Sequence, residues 1–193
     1  APAISYISHS QIVEFMGQCF EVNAAGSGLY TQPLKRMLGQ IEAMLSYHNK
    51  VFLLRFDLHQ TEYTNTSADV SMFFKRYLQS IKKSYNLQRV GFAWAREQER
   101  AKSQHYHCFV LVDGNKVRAP HKLTETARWY WEVLHDGKIH WPEGRCCYQL
   151  TRNDWDTLQA AIYHISYLAK GRGKGYKPDQ SKNFGGSRLK LKC

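Results

Sequence analysis

The chain predicts an α+β fold, a central antiparallel sheet with helices packed mainly on one face, and three observations predict it. Val51 to Leu58 is a dense run of β formers. Val90 to Glu97 and His105 to Val112 read as two more strands, joined by the polar stretch Gln98 to Gln104 into an antiparallel hairpin. Around them, apolar residues recur at three-and-four spacing, the period of a helix with one buried face. The order helix, helix, strand, helix, strand, strand, helix, hairpin, helix is that of an α+β sandwich.

Taken in order, a short helix is expected around residues 10 to 20. Gly26 to Pro33 is a connection, after which Leu34, Met37, Leu38, Ile41, Met44 and Leu45 mark an amphipathic helix over roughly 33 to 48. In the first strand, Arg55 and Asp57 interrupt one face, placed for an ion pair or a phosphate contact. Ser67 or Asp69 can cap a helix whose stripe runs from Val70 to Ile81 and which ends near Ser84. Asp113-Gly114-Asn115 closes the third strand. Thr124 to Leu134 reads as a short aromatic helix, and Lys138 to Leu150, broken by Pro142 and Gly144, as a small hairpin. The last helix covers Asp154 to Lys170, opened by the capping-box form Thr151-Arg-Asn-Asp154 and closed by Gly171.

With 193 residues, 43% of them apolar, the chain is long enough to bury a core without staples, and no apolar run approaches a membrane span. Five cysteines without a Cys-x-x-Cys pair argue against a disulfide framework and a zinc finger, and fit a reducing cytoplasm. The net charge of +11 is concentrated after Lys170, where a basic, glycine-containing end suits a phosphate backbone or a solvated tail. The expected division is an N-terminal helical segment (1–48), a catalytic domain (49–171) and a basic C-terminal tail (172–193).

The chemistry-bearing residues are His105-Tyr106-His107 and Tyr163-x-x-x-Tyr167-x-x-Lys170. Residues two apart on a strand share a face, so His105 and His107 can clamp one metal ion. Residues four apart on a helix are neighbours, so Tyr163 and Tyr167 can reach one reacting phosphorus, with Lys170 on the same side. The three project opposite the apolar stripe of their helix, where a core tyrosine would not. A third metal ligand should come from the neighbouring strand: Glu97 first, with Glu99 of the same parity in reserve. Two imidazoles and a carboxylate leave positions open on a divalent ion for phosphate oxygens. A tyrosine attacks poorly at neutral pH unless positive charge stabilises its phenolate, which Lys170 or the metal would supply. Arg55, Arg96 or Arg100, Arg172 and Lys174 are candidates for holding DNA.

These residues resemble the two-tyrosine branch of the HUH endonucleases, the rolling-circle replication initiators. More narrowly, Trp94-Ala95-Arg96-Glu97, His105-Tyr106-His107 with Cys108 to Val112 and Asn115, and Phe184-Gly185-Gly186-Ser187 are similar to the inovirus replication-protein family of filamentous phages and prophages. The resemblance covers roughly residues 50 to 190. It implies an RRM/ferredoxin-like core, His105 and His107 as metal ligands, Tyr163 and Tyr167 as nucleophiles and Lys170 as their helper. It further implies Mg²⁺ or Mn²⁺, and single-stranded DNA at a replication origin as substrate. No helicase motif is present, so a host helicase is an expected partner. Transposase and plasmid relaxase share this chemistry. A non-catalytic nucleic-acid-binding module and a non-haem iron oxygenase are the readings outside it; the latter has no use for the tyrosine pair or the basic end.

Overall fold

A computed structural model describes residues 6–99, 103–174 and 182–193. In chain order its strands and α-helices are β1 (Ile7–Ser8), β2 (Ile12–Phe15), β3 (Gln18–Glu21), β4 (Leu29–Tyr30), α1 (Thr31–Tyr47), β5 (Lys50–His59), α2 (Ala68–Tyr85), β6 (Gly91–Glu97), β7 (His105–Asp113), α3 (His121–Arg128), β8 (Lys138–His140), β9 (Cys147–Thr151), α4 (Trp155–Ser166) and β10 (Phe184–Gly186). A π-helical turn (Trp129–Val133) extends α3, and a 3-10 turn (Tyr167–Ala169) extends α4. The class is as expected, α+β on an antiparallel sheet. The strand order is β10-β6-β7-β5-β8, with β9 beside β8 along the same edge of β5.

The helices, expected mainly on one face, cover both. On one face α1, α4 and the β2–β3 hairpin pack over Val51, Leu53, Phe109 and Leu111. On the other, α2 and α3 pack over Phe52, Leu54, Phe56, Leu58, Cys108 and Val110. The reason lies in β5 and β7, whose central residues are apolar on both sides and so need cover on both.

Residues 10 to 20 form the hairpin β2–β3 instead of the expected helix. Met16 and Gly17 both take positive φ, 48° and 75°, as a two-residue hairpin turn requires. Val13, Phe15 and Phe20 then face the core at strand period. β8 and β9 do not form a hairpin with each other; both pair with β5, β8 at Asp57–His59 and β9 at Lys50–Leu54, as two pieces of one interrupted edge strand. Pro142 and Gly144 lie in the interruption. Asp154 caps α4 itself, accepting from the Thr157 amide at 3.1 Å, so the box begins three residues later than Thr151.

The segment expected as a free basic tail joins the fold where it is described. β10 pairs with β6, Leu189 packs on the core, and the Lys192 amide donates to Ser46 Oγ at 2.8 Å. Phe184-Gly185-Gly186-Ser187 is built for this docking. Any side chain at Gly185 would strike the Trp94 indole, and Ser187 Oγ sits within hydrogen-bond distance of Gln40 and Phe92. The part of the basic end from 175 to 181, and Arg100, lie outside the described residues.

Candidate active site

Register assembles the site. Asp57 on β5 stands opposite His107 on β7 and His140 on β8, and His107 stands opposite Ala95 on β6. One step toward the strand ends, His59 is opposite His105, and His105 is opposite Glu97. Residues opposite or two apart share a face, so these polar groups gather where the α1/α4 face of the sheet runs out of apolar residues.

His107 is the centre. Its Nδ1 lies 2.8 Å from Asp57 Oδ1 and its Nε2 lies 2.9 Å from Glu97 Oε2. Glu97 lies two residues along β6 from Ala95, the residue opposite His107, and makes this contact on the diagonal. Asp57 is in turn bonded by the Arg55 guanidinium, which also donates to the Phe56 and Cys108 carbonyls. Arg55 lies 3.2 Å from Nδ1 as well, but that nitrogen has its proton directed at the carboxylate, so this is packing. Burial alone would raise the Asp57 acid; Arg55 and His107 outweigh it and hold it well below the usual carboxylate range. Glu97 is likewise lowered against its own burial, by His107 and then by Lys174 and Arg172.

A neutral imidazole carries one proton and can satisfy one of these carboxylates. The second contact requires another proton or a cation between Nε2 and Glu97. Two neighbouring ligands on an ion with bonds of about 2.1 Å stand about 3 Å apart, and the 2.9 Å separation of Nε2 and Oε2 matches that. The same 2.9 Å is the length of a direct N–H···O bond; a divalent ion could take the place of that proton, with Asp57 fixing the ring from behind as supporting carboxylates do. The expected clamp of two histidines is otherwise arranged. The His105 ring stacks on His59, centroids 3.9 Å apart and 4° from parallel, and His140 packs beyond at 5.7 Å. Among the described residues no three His, Cys, Asp or Glu side chains form a complete metal-holding group. His105 can join His107 and Glu97 only by turning off His59. Glu99, the reserve ligand, is ion-paired with Arg172.

The tyrosine helix arrives over this centre. The Tyr167 ring meets the His107 ring edge to face, centroids 5.0 Å apart. Tyr163 is 47% exposed and lines the same cleft of about 930 Å³ as Tyr167, His107, Asp57 and Arg55. The N-terminal segment holds the helix there. Phe20 stacks on Trp155 at 5.0 Å, Gln159 bonds both backbone groups of Glu21 at 2.9 Å, and the Asn23 amide donates to Ser166 Oγ at 2.9 Å. Burial first, then the Glu97 charge, raise the Tyr167 phenol above its ordinary value.

Several expected residues are placed elsewhere. Lys170 does not share the tyrosine side, because α4 ends at Ser166 and its last turn tightens to 3-10. Lys170 itself is extended, bridges to Leu29, and is buried with Nζ bonded to Asn23 and Ala25. Arg96 has even parity on β6, so it is wholly buried on the α2/α3 face, away from His107. Arg55 is 3% exposed and committed to Asp57, and Lys174 is 3% exposed beside Glu97, with burial lowering its ammonium to about 8. Among the described DNA-binding candidates Arg172 alone is exposed. Trp94 and Trp131 are core, and no tryptophan lines the cleft.

Residues that sequence reasoning passed over are His59, His140, Tyr148 and His164; Tyr148 Oη lies 3.0 Å from His164 Nδ1 in the cleft wall. His59 carried a signal, since it continues the Arg55, Asp57 parity. His140 had none until the β5–β8 register was known.

No helix among the described residues is long and apolar enough to cross a membrane. No curated protein and no solved structure matches the chain. The family model of the YagK/YfjJ C-terminal domain matches residues 16–187, from the turn of the β2–β3 hairpin to the serine that follows β10. The chain belongs to the YagK/YfjJ C-terminal domain family.

Proposed function

We propose that this protein is a metal-dependent nickase and strand transferase of single-stranded DNA that initiates rolling-circle replication of a phage or prophage element. The observation that carries the reading is the edge-to-face contact of Tyr167 on His107, whose other nitrogen neighbours are carboxylates. A nucleophile, a candidate cation site and an open cleft then adjoin one another. Tyr167 Oη attacks the scissile phosphorus; the new bond is O–P, and the P–O3′ bond breaks to leave a free 3′-hydroxyl and a 5′-phosphotyrosine. Burial and Glu97 hold the phenol protonated, so attack needs positive charge at its oxygen. A divalent ion, Mg²⁺ or Mn²⁺, held by His107 and Glu97 with His105 turned in, would supply that charge and polarise the phosphate. Asp57 and Arg55 keep the His107 ring oriented throughout. Tyr163, exposed in the same cleft, is available for a second transfer while the first strand is still covalently held. The substrate is single-stranded or melted DNA at an origin, opened by a host helicase, in the cytoplasm of a bacterial host.

Incubation with labelled single-stranded DNA and Mn²⁺, followed by denaturation, should leave a covalent protein–DNA adduct. Tyr163→Phe with Tyr167→Phe should reduce it more than a hundredfold. Undiminished adduct in the double variant removes the tyrosines from the reaction; reversible binding with no adduct in the parent identifies a non-catalytic DNA-binding module. Transposase and relaxase roles share the adduct and are separated from replication by whether closed single-stranded circles accumulate.

A further inference from the structure

Three of the cations expected to hold DNA are buried: Arg55, Arg96 and Lys174. A fourth cation, unremarked in the sequence, occupies the cleft itself. Arg145 lies in the interruption between β8 and β9, is exposed, and lines the cavity that Tyr163, Tyr167 and His107 also line. Its guanidinium is fixed although it is exposed. Nε donates to the Cys147 carbonyl at 2.9 Å, and Cζ stands 4.5 Å over the Tyr148 ring. Tyr148 is in turn buried and tied to His164 at 3.0 Å. A solvated arginine ordinarily samples many rotamers and loses that freedom on binding. Here the plane is set in advance, with its terminal nitrogens left for a ligand, and a planar fork of this kind matches phosphate oxygens. The acids Glu21, Glu143 and Asp156 line the same cleft; they repel a phosphate, and Arg145 is the exposed cation among the lining residues that can hold one against them.

We propose that Arg145 fixes the sugar–phosphate backbone of single-stranded DNA in the tyrosine cleft, at a phosphodiester adjoining the one presented to Tyr167. This rests on the nickase reading for its substrate but is read by binding alone. The test uses the full chain carrying Tyr163→Phe and Tyr167→Phe, with EDTA, and fluorescein-labelled oligothymidylate followed by anisotropy across a salt series. Arg145→Ala should weaken binding about tenfold and make the slope of log K against log salt shallower by about 0.7, one phosphate contact on a single strand. Arg145→Lys should recover the slope and only part of the affinity, because a point charge lacks the fork. Lys75→Ala, exposed on α2 across the sheet, should leave both unchanged. Equal slope and affinity for Arg145→Ala and its parent overturn the proposal. So does an Arg145→Ala effect that vanishes on an abasic strand, which would mean a stacked base. Thermal melting checks the fold, and Arg145→Gln repeats the measurement if the alanine variant melts early. Loss of the salt-slope effect with adduct formation intact removes Arg145 only; loss of adduct formation with the slope effect intact removes the nickase only.

Discussion

The two sides of β5 differ in a way that explains where a site can exist. Its even side, Phe52, Leu54, Phe56 and Leu58, is apolar from end to end and sealed under α2 and α3. Its odd side begins the same way, with Val51 and Leu53 in the core, and then turns to Arg55, Asp57 and His59. One strand thus serves as a structural beam on one side and as a change from core to chemistry on the other. The polar half is buried but not apolar. It runs across the sheet as a chain of polar contacts, Lys174 near Glu97, Glu97 on His107, His107 on Asp57, Asp57 on Arg55. Each member is held by the next, which is what permits ionised groups at low exposure.

The comparison breaks most sharply on the even side. Phe56→Ala should cost about 4 kcal/mol of unfolding free energy, because its ring packs with Phe73, Phe74, Tyr77 and Trp141. A urea titration reading under 1 kcal/mol would mean that this side is not the beam. On the odd side, Asp57→Asn should cost slightly less, about 3 kcal/mol, yet remove most adduct formation, since it leaves Arg55 without its counter-charge and weakens the hold on the His107 ring. Stability loss without loss of adduct would confine Asp57 to folding. The smallest effect concerns acid. Burial first, then the neighbouring His105, hold His59 down to about 4. A histidine lowered in the folded state contributes stability that is present above its unfolded value near 6.5 and is lost as pH falls from there through 4. His59→Gln should therefore flatten the fall in melting temperature over that window, and an unchanged profile would show that protonation elsewhere dominates.

Much of this was legible beforehand because the signals were local. Strand parity put His105 and His107 on one face, and Glu97 rather than Glu99 at hand for His107; helical period turned Tyr163 and Tyr167 out of the core. What failed was non-local or depended on how an element ends. Lys170 was assigned by extending helical geometry one turn past the point where α4 tightens and stops. Arg96, a candidate for holding DNA, follows strand parity to the face opposite Glu97, because neighbouring strand residues point to opposite faces. His140 and Arg145 belong to the site only because β8 and the chain after it pair with β5, a register that no short window contains. The β2–β3 hairpin was missed because Met16 takes a left-handed conformation uncommon for its type.

The interruption between β8 and β9 also bears on how the molecule behaves among its own copies. A sheet edge with a long row of free amides and carbonyls invites a neighbour to add a strand. Here that border of β5 is met by a three-residue piece and a five-residue piece, while the opposite border is the three-residue β10. Among the described residues neither margin presents a continuous template, so the gap whose residues line the cleft also discourages fibre-like stacking of the chain upon itself.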